Sequence, residues 1–310
     1  MSSAGSSSGV VAATDVQALS SSAKLQLLRD LMQRPARHPS QVLICATHVL
    51  THGGAASEAE RFAFMEMAAI AAIDLGRDAQ ATEHIRNLTR RFGTTSTRVR
   101  RLLGLQMEAA GKTDSAMQLY THILKDHPTE QWCVRRLCAM HRGRGDYKMA
   151  IETLKQREVF VDAKENKSFT YAQLFPADEA AARELISLNW LLNNVSECIR
   201  YADEIVLFDP ANYSHHTRLA ELCYAAGQYE RSATAYAQSL RLNDGRNNAR
   251  AFYGLWLVAS QLVKAKNSKH ASNDNMADAS ELLEFAATKL RSLYAGSKAA
   301  SYLDLTLKVQ

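Results

Sequence analysis

Gly111 and Gly145 lie 34 residues apart, and each opens the same kind of segment. The first reads Gly111-Lys112-Thr113-Asp114-Ser115-Ala116, followed by Tyr120 and Pro128. The second reads Gly145-Asp146-Tyr147-Lys148-Met149-Ala150, and Gly227-Gln228-Tyr229-Glu230 repeats the opening, with Tyr236 standing where Tyr120 stood. A fixed period of this length means short units that cannot bury their apolar faces alone and must stack on their neighbours.

A Gly/Tyr/Ala/Pro pattern at this period is that of a tetratricopeptide array, a stack of antiparallel helix pairs. The expected fold is therefore all-α, a right-handed superhelix (α-solenoid) with N-terminal helices and a C-terminal capping helix. With the turn glycine aligned, repeats begin near 62, 97, 131, 179, 213 and 247. In the repeat from 97, Leu103 and Met107 fill the seam, Gly104 and Ala116 let the helix axes approach, and Pro128 stops the second helix. The repeat from 179 has Asn193 where the others have glycine, a residue that tolerates the left-handed conformation such a turn needs.

Residues 1–14 are Ser/Gly/Ala/Val-rich without periodicity and read as a disordered tail; 15–310 read as the helical-repeat domain. Within it, helices are expected over 15–34 and 39–51 before the repeats, and over 276–294 and 298–309 at the end. The step from 131 to 179 is 48 residues, so a loop insertion is placed near 162–177. The polar stretch 264–275 reads as a lengthened loop between helices.

The formal charge is only +5, concentrated in 84–146, where twelve Lys/Arg meet five Asp/Glu. The five cysteines are scattered without a Cys-x-x-Cys, as expected of thiols packed in helices in a reducing compartment. No stretch approaches eighteen apolar residues, and the N-terminus lacks the basic and apolar regions of a secretory signal, so no membrane span is expected.

Helical periodicity turns one face of each repeat's first helix toward the inner wall. That wall carries Arg98, Arg101, Trp132, Arg135, Arg142, Arg183, Trp190, Thr217, Glu221 and Tyr224. Arginine and aromatic residues are enriched at interface hot spots, and guanidinium forks suit carboxylates. These residues form a candidate groove for an extended or helical segment bearing carboxylates, with Arg98, Arg101, Arg135 and Arg142 as clamps. Arg86, Arg90, Arg91 and Arg100 form a secondary basic patch; the blander use of Arg86, Arg90 and Arg91 is to complement a helix C-terminus. Gly5-Ser6-Ser7-Ser8-Gly9 matches a nucleophile elbow in letters but lacks the strand and helix that motif needs. His122, His127, His141 and the pair His215-His216 have no carboxylate or cysteine at zinc-site spacing. No catalytic residue, cofactor or metal is expected.

Two features are more specific than a generic repeat, the Gly76-Arg77-Asp78 turn that ends Ala71-Ala72-Ile73-Asp74-Leu75-Gly76-Arg77-Asp78 and the run Arg250-Ala251-Phe252-Tyr253-Gly254-Leu255, and beside them stands Arg100-Arg101-Leu102-Leu103-Gly104-Leu105. With Ala116-Met117-Gln118-Leu119-Tyr120, Asp126-His127-Pro128-Thr129 and Ser239-Leu240-Arg241-Leu242-Asn243, they resemble the subunit 2 family of the endoplasmic reticulum (ER) membrane protein complex over roughly 57–158 and 180–295. The Ser-rich tail and the insertion depart from that family, as in a divergent lineage. The resemblance implies a non-catalytic scaffold on the cytoplasmic face of the ER membrane, peripheral through its partners. Those partners would be cytosolic parts of subunits 3 and 5 and the soluble subunit 8/9, in a complex that inserts transmembrane segments. Two alternatives come from the residues: a co-chaperone-like adaptor for acidic peptide segments, and an RNA-binding helical repeat. Asn189 and Asn193 lie away from the arginine cluster, against the first; no base-reading pair recurs per repeat, against the second, so no nucleic acid is expected.

Overall fold

The computed structural model of the chain describes residues 16–33, 38–52, 56–155, 158–162, 167–171, 175, 178–267 and 274–308. The tail 1–14, and 163–166, 172–174 and 176–177 of the expected insertion, lie outside these residues. Two compact units divide the chain, Met1–Met140 and His141–Gln310.

The first unit holds α1 (Ser21–Gln33), α2 (Pro39–His52), α3 (Glu58–Asp74), α4 (Asp78–Phe92), α5 (Thr97–Ala109), α6 (Thr113–Asp126) and most of α7 (Gln131–Gly143). From α1 to α6 each helix packs on the next, and α3 also touches α5, the side-by-side stacking of helix pairs. The core is small and alternating: Ala68, Ala71 and Ala72 of α3 let α2 close on it, while Leu28, Phe64 and Val49 fill the space between. A second cluster, Ala69, Ile85, Leu88, Val99 and Leu102, joins α3, α4 and α5.

The second unit continues with α8 (Tyr147–Lys155), the strands β1 (Glu158–Asp162) and β2 (Lys167–Thr170), α9 (Glu179–Leu191), α10 (Val195–Phe208), α11 (Tyr213–Ala225), α12 (Tyr229–Leu242), α13 (Ala249–Asn267), α14 (Asp274–Tyr294) and α15 (Ala300–Lys308). Here too the helices pack in sequential pairs. The paired-helix architecture is the expected one, with one addition. β1 and β2 form an antiparallel hairpin, Asp162 opposite Lys167, so the insertion begins as a hairpin four residues earlier than the expected loop. Val159, Phe160 and Val161 are β-formers, and their run was the available signal. The loop expected over 264–275 is also shorter: α13 runs to Asn267 and α14 starts at Asp274.

The turns explain why the period is visible. Gly76, Gly111, Gly145 and Gly227 have φ of 66°, 74°, 81° and 74°, and Asn193 takes the same role at 58°. At each, two backbone bonds close the helix end: Gly111 N–H to Glu108 O at 2.9 Å and Lys112 N–H to Met107 O at 2.8 Å, for example. This is the Schellman closure, which requires a left-handed residue. All five cysteines are buried as thiols within helices.

Glu60 illustrates how a helix start doubles as a tie between helices. Its backbone N–H donates to Ser57 Oγ at 3.2 Å, while its own carboxylate accepts from Ser57 N–H at 2.8 Å, completing a capping box for α3. The same carboxylate accepts from Arg29 of α1 at 2.7 and 3.3 Å. The Arg29 bond, then the Ser57 backbone bond, hold the Glu60 carboxyl down at about 2 against an ordinary 4.5. A depressed folded-state value means the ionised group stabilises the fold above the unfolded value, and that this contribution is lost as pH falls through the folded one. Glu60→Gln should therefore lower the melting temperature at pH 7, with the difference from the parent protein shrinking between pH 4.5 and 2. Thermal melts across that range check it.

Candidate binding surface

In the first unit two arginines of the expected clamp, Arg98 and Arg101, are already occupied. Arg98 of α5 forms a close ion pair through Nε with Glu66 of α3, and its guanidinium lies 5.2 Å from the Phe92 ring centroid. Arg101, one turn on, reaches the same Glu66 at 3.6 Å and Glu130 at 3.2 Å, with its guanidinium 5.6 Å over Trp132. Trp132 in turn stands edge-on to Tyr120, centroids 5.5 Å apart. Arg98, Arg101 and Trp132 thus come together as expected, but as a layer that ties α3, α5 and the start of α7. Arg135 is exposed on α7.

The neighbouring Arg136 is bonded through two nitrogens to Glu108, whose Oε1 also accepts the Tyr120 hydroxyl at 2.5 Å. Burial first, and the Glu108 bond second, push the Tyr120 hydroxyl well above its usual range. This triad is a fully satisfied, largely buried polar network of the kind that fixes one packing arrangement.

The secondary patch divides. Arg100 donates to Asp126 at 2.8 Å and to His122 Nδ1 at 2.6 Å, locking α5 to α6. The Arg100 bond is the largest influence lowering the Asp126 carboxyl. Arg91 meets Glu58 at 3.5 Å and covers Phe62. Arg86 and Arg90 remain exposed, Arg90 in the last turn of α4, where a cation complements the carbonyl end of the helix.

In the second unit Arg142 donates to both oxygens of Glu184, at 2.7 and 2.9 Å. Arg183 donates to Glu179 one turn back, at 2.6 Å. Trp190 is 47% exposed at the end of α9. Glu221 accepts from Arg250 at 2.8 Å and from Arg218 at 3.2 Å. Tyr224 sits 5.6 Å from Tyr229 and lines a cleft of about 520 Å³ with Tyr236, Tyr253 and Tyr294. Thr217 requires a correction. It is buried, bonded to Tyr213 O at 3.1 Å and Ser239 Oγ at 2.7 Å beside Asn248, and so forms part of the helix-pair interior rather than an open wall. Its small size, suited to a close contact, was the signal for that.

The sequence reading missed a second cleft of about 300 Å³, bounded by α9, α10 and α11, in which Arg183 is joined by Arg218, Ser214 and His215. His215 and His216 had drawn attention only as a failed zinc pattern. Among the described residues no group of His, Cys, Asp and Glu could hold a metal ion.

No family model matches the chain. ER membrane protein complex subunit 2-A of Xenopus laevis is 30% identical over 233 residues, which cover 74% of this chain and 71% of that protein. The chain belongs to the ER membrane protein complex subunit 2 family. The Xenopus tropicalis member, ER membrane protein complex subunit 2, is 31% identical over 215 residues, 68% of this chain and 67% of that one. Among solved structures, the C-terminal part of a TPR repeat-containing protein from Cytophaga hutchinsonii superposes with a TM-score of 0.55 at 10% identity, covering 92% of this chain and 99% of that one. That likeness concerns the fold: the subunit 2 family member described here is built as a tetratricopeptide array.

Proposed function

We propose that this chain is a non-catalytic scaffold subunit of an ER membrane protein complex, holding membrane-embedded subunits in place while transmembrane segments are inserted. The observation that carries the reading is the 30% identity over 233 residues to a protein named as subunit 2 of that complex. Paired-helix arrays support it, because their stacked first helices present long surfaces to other polypeptides. The partners we assign are those implied by the family resemblance: cytosolic parts of subunits 3 and 5 and the soluble subunit 8/9, met on the cytoplasmic face of the ER. Among the described residues no helix is long and apolar enough to cross a membrane, and the proposal has the chain reach the membrane through its partners.

The candidate surfaces are the exposed Trp190 end of α9, the tyrosine-lined cleft of Tyr224 and Tyr236, and exposed Arg86, Arg90 and Arg135. Aromatic anchors with a cationic rim fit a protein partner. Purification of the tagged full chain from membranes in mild detergent tests the proposal. A stoichiometric set of integral membrane subunits should co-elute; elution alone, or with chaperones or RNA, would count against it.

A further inference from the structure

The cleft between α9, α10 and α11 contains a buried imidazole nitrogen without a formed hydrogen bond. His215 is 5% exposed, and its Nε2 has no hydrogen-bond partner among the described residues. The nearest carboxylate oxygen, Glu179 Oε1, stands 3.5 Å away, within ion-pair range but beyond a good hydrogen bond. A buried imidazole nitrogen left unbonded costs free energy that a ligand atom can recover.

Its surroundings select the ligand. Arg183 and Arg218 flank the cleft, with side chains 60% and 47% exposed. Each spends only part of its donor fork, Arg183 on Glu179 and Arg218 on Glu221. The hydroxyls of Ser187 and Ser214 are committed, to Arg183 O at 3.0 Å and to Asn212 Oδ1 at 2.8 Å. The donors left for a guest are therefore guanidinium N–H groups, joined by the imidazole in the tautomer that carries its proton on Nε2, and they call for an anion. Glu179 and Glu221 offset part of the arginine charge, which disfavours a dianion such as phosphate and suits a single planar negative group. Guanidinium forks pair with carboxylates two bonds at a time. Ile186 and Ile205 add an apolar lining that accepts the methylenes of an acidic side chain.

We propose that this cleft holds a carboxylate from an acidic segment of a protein partner, seated between Arg183 and Arg218 and bonded to His215. The inference rests on the scaffold reading for the choice of a protein as the source. It also moves the carboxylate-binding role from Arg98, Arg101 and Arg142 to two arginines that likewise meet carboxylates of this chain, Glu179 and Glu221, but stand beside a buried imidazole nitrogen that has no hydrogen bond.

The test uses the isotope-labelled full chain, with the His215 ring signals assigned by their loss in His215→Gln. The probes are acetyl-Ala-Glu-Ala-amide, its Gln counterpart and inorganic phosphate. The glutamate peptide should shift the His215 signals saturably, and the glutamine peptide should not. Arg218→Gln, a half-exposed change that leaves the melting temperature unaltered, should weaken the glutamate peptide at least tenfold. No saturable shift, equal response to both peptides, phosphate binding without glutamate binding, or full affinity in Arg218→Gln would each overturn the proposal. If the peptide fails while membrane subunits still co-elute with the tagged chain, the cleft assignment alone falls. If the peptide binds but no subunit co-elutes, the scaffold reading falls and the carboxylate site stands.

Discussion

Gly104→Ala and Gly254→Ala should each destabilise the protein, by roughly 1–3 kcal/mol, the usual range for overpacking a tight interior. The sign is the informative part. In an exposed helix the same change stabilises by about 1 kcal/mol, because alanine is the better helix former. Here a Cβ at 104 would lie 2.2 Å from Tyr120 Cε1, and one at 254 would lie 2.1 Å from Tyr236 Cζ. Neither ring can step aside. Tyr120 is fully buried and tethered to Glu108, and Tyr236 is 4% exposed. Replacing the ring should relieve the clash, so Gly104→Ala in a Tyr120→Leu background should cost less than in the parent. Urea melts of the four proteins measure the coupling. A higher midpoint for Gly104→Ala alone would mean that α5 and α6 are packed otherwise.

The second large effect is expected at Glu108. Its carboxylate is the common acceptor for Arg136 and the Tyr120 hydroxyl, and its side chain is only 13% exposed. Truncation to alanine strands a half-buried cation and a buried hydroxyl together. Removing one member of a buried ion pair costs roughly 3–5 kcal/mol, and the 32% exposure of Arg136 reduces that to about 2–3. Glu108→Gln keeps an acceptor and should cost clearly less. Equal melting temperatures for the parent and Glu108→Ala would remove the triad from any account of stability.

What could be read from the residues and what could not follows a physical division. Turn chemistry is local: a left-handed residue at the end of a helix leaves glycine or asparagine in the sequence, so Gly111, Gly145, Gly227 and even Asn193 were legible. Close helix contacts leave a similar mark at Gly104, where the ring it faces also stood out as a periodic tyrosine. Ion pairs between repeats leave none. Glu66 lies 32 residues before Arg98, and Glu184 lies 42 residues after Arg142, with no rule of spacing to announce them. An inner wall read only from its cations therefore looked free to bind, although its counter-charges were supplied by the next helices. The same holds for the cleft at His215. A buried nitrogen without a hydrogen bond is a property of surroundings brought together by α9, α10 and α11, and an adjacent His-His pair does not reveal it. The hairpin was missed for a different reason: a three-residue β-forming run is too short to outweigh the helical context on either side.

The central claim about the first unit is that its arginine layer holds repeats together, with Glu66 at its centre. The most direct measurement is a double-mutant cycle at Arg98 and Glu66, read by chemical unfolding of Arg98→Glu, Glu66→Arg and the combined swap. Each single reversal should lower stability by about 1 kcal/mol or more, since it sets like charges together, and the swap should recover much of the loss. Contradiction would be single reversals that leave the unfolding midpoint unchanged while membrane subunits no longer co-elute, the behaviour of free arginines that clamp a partner.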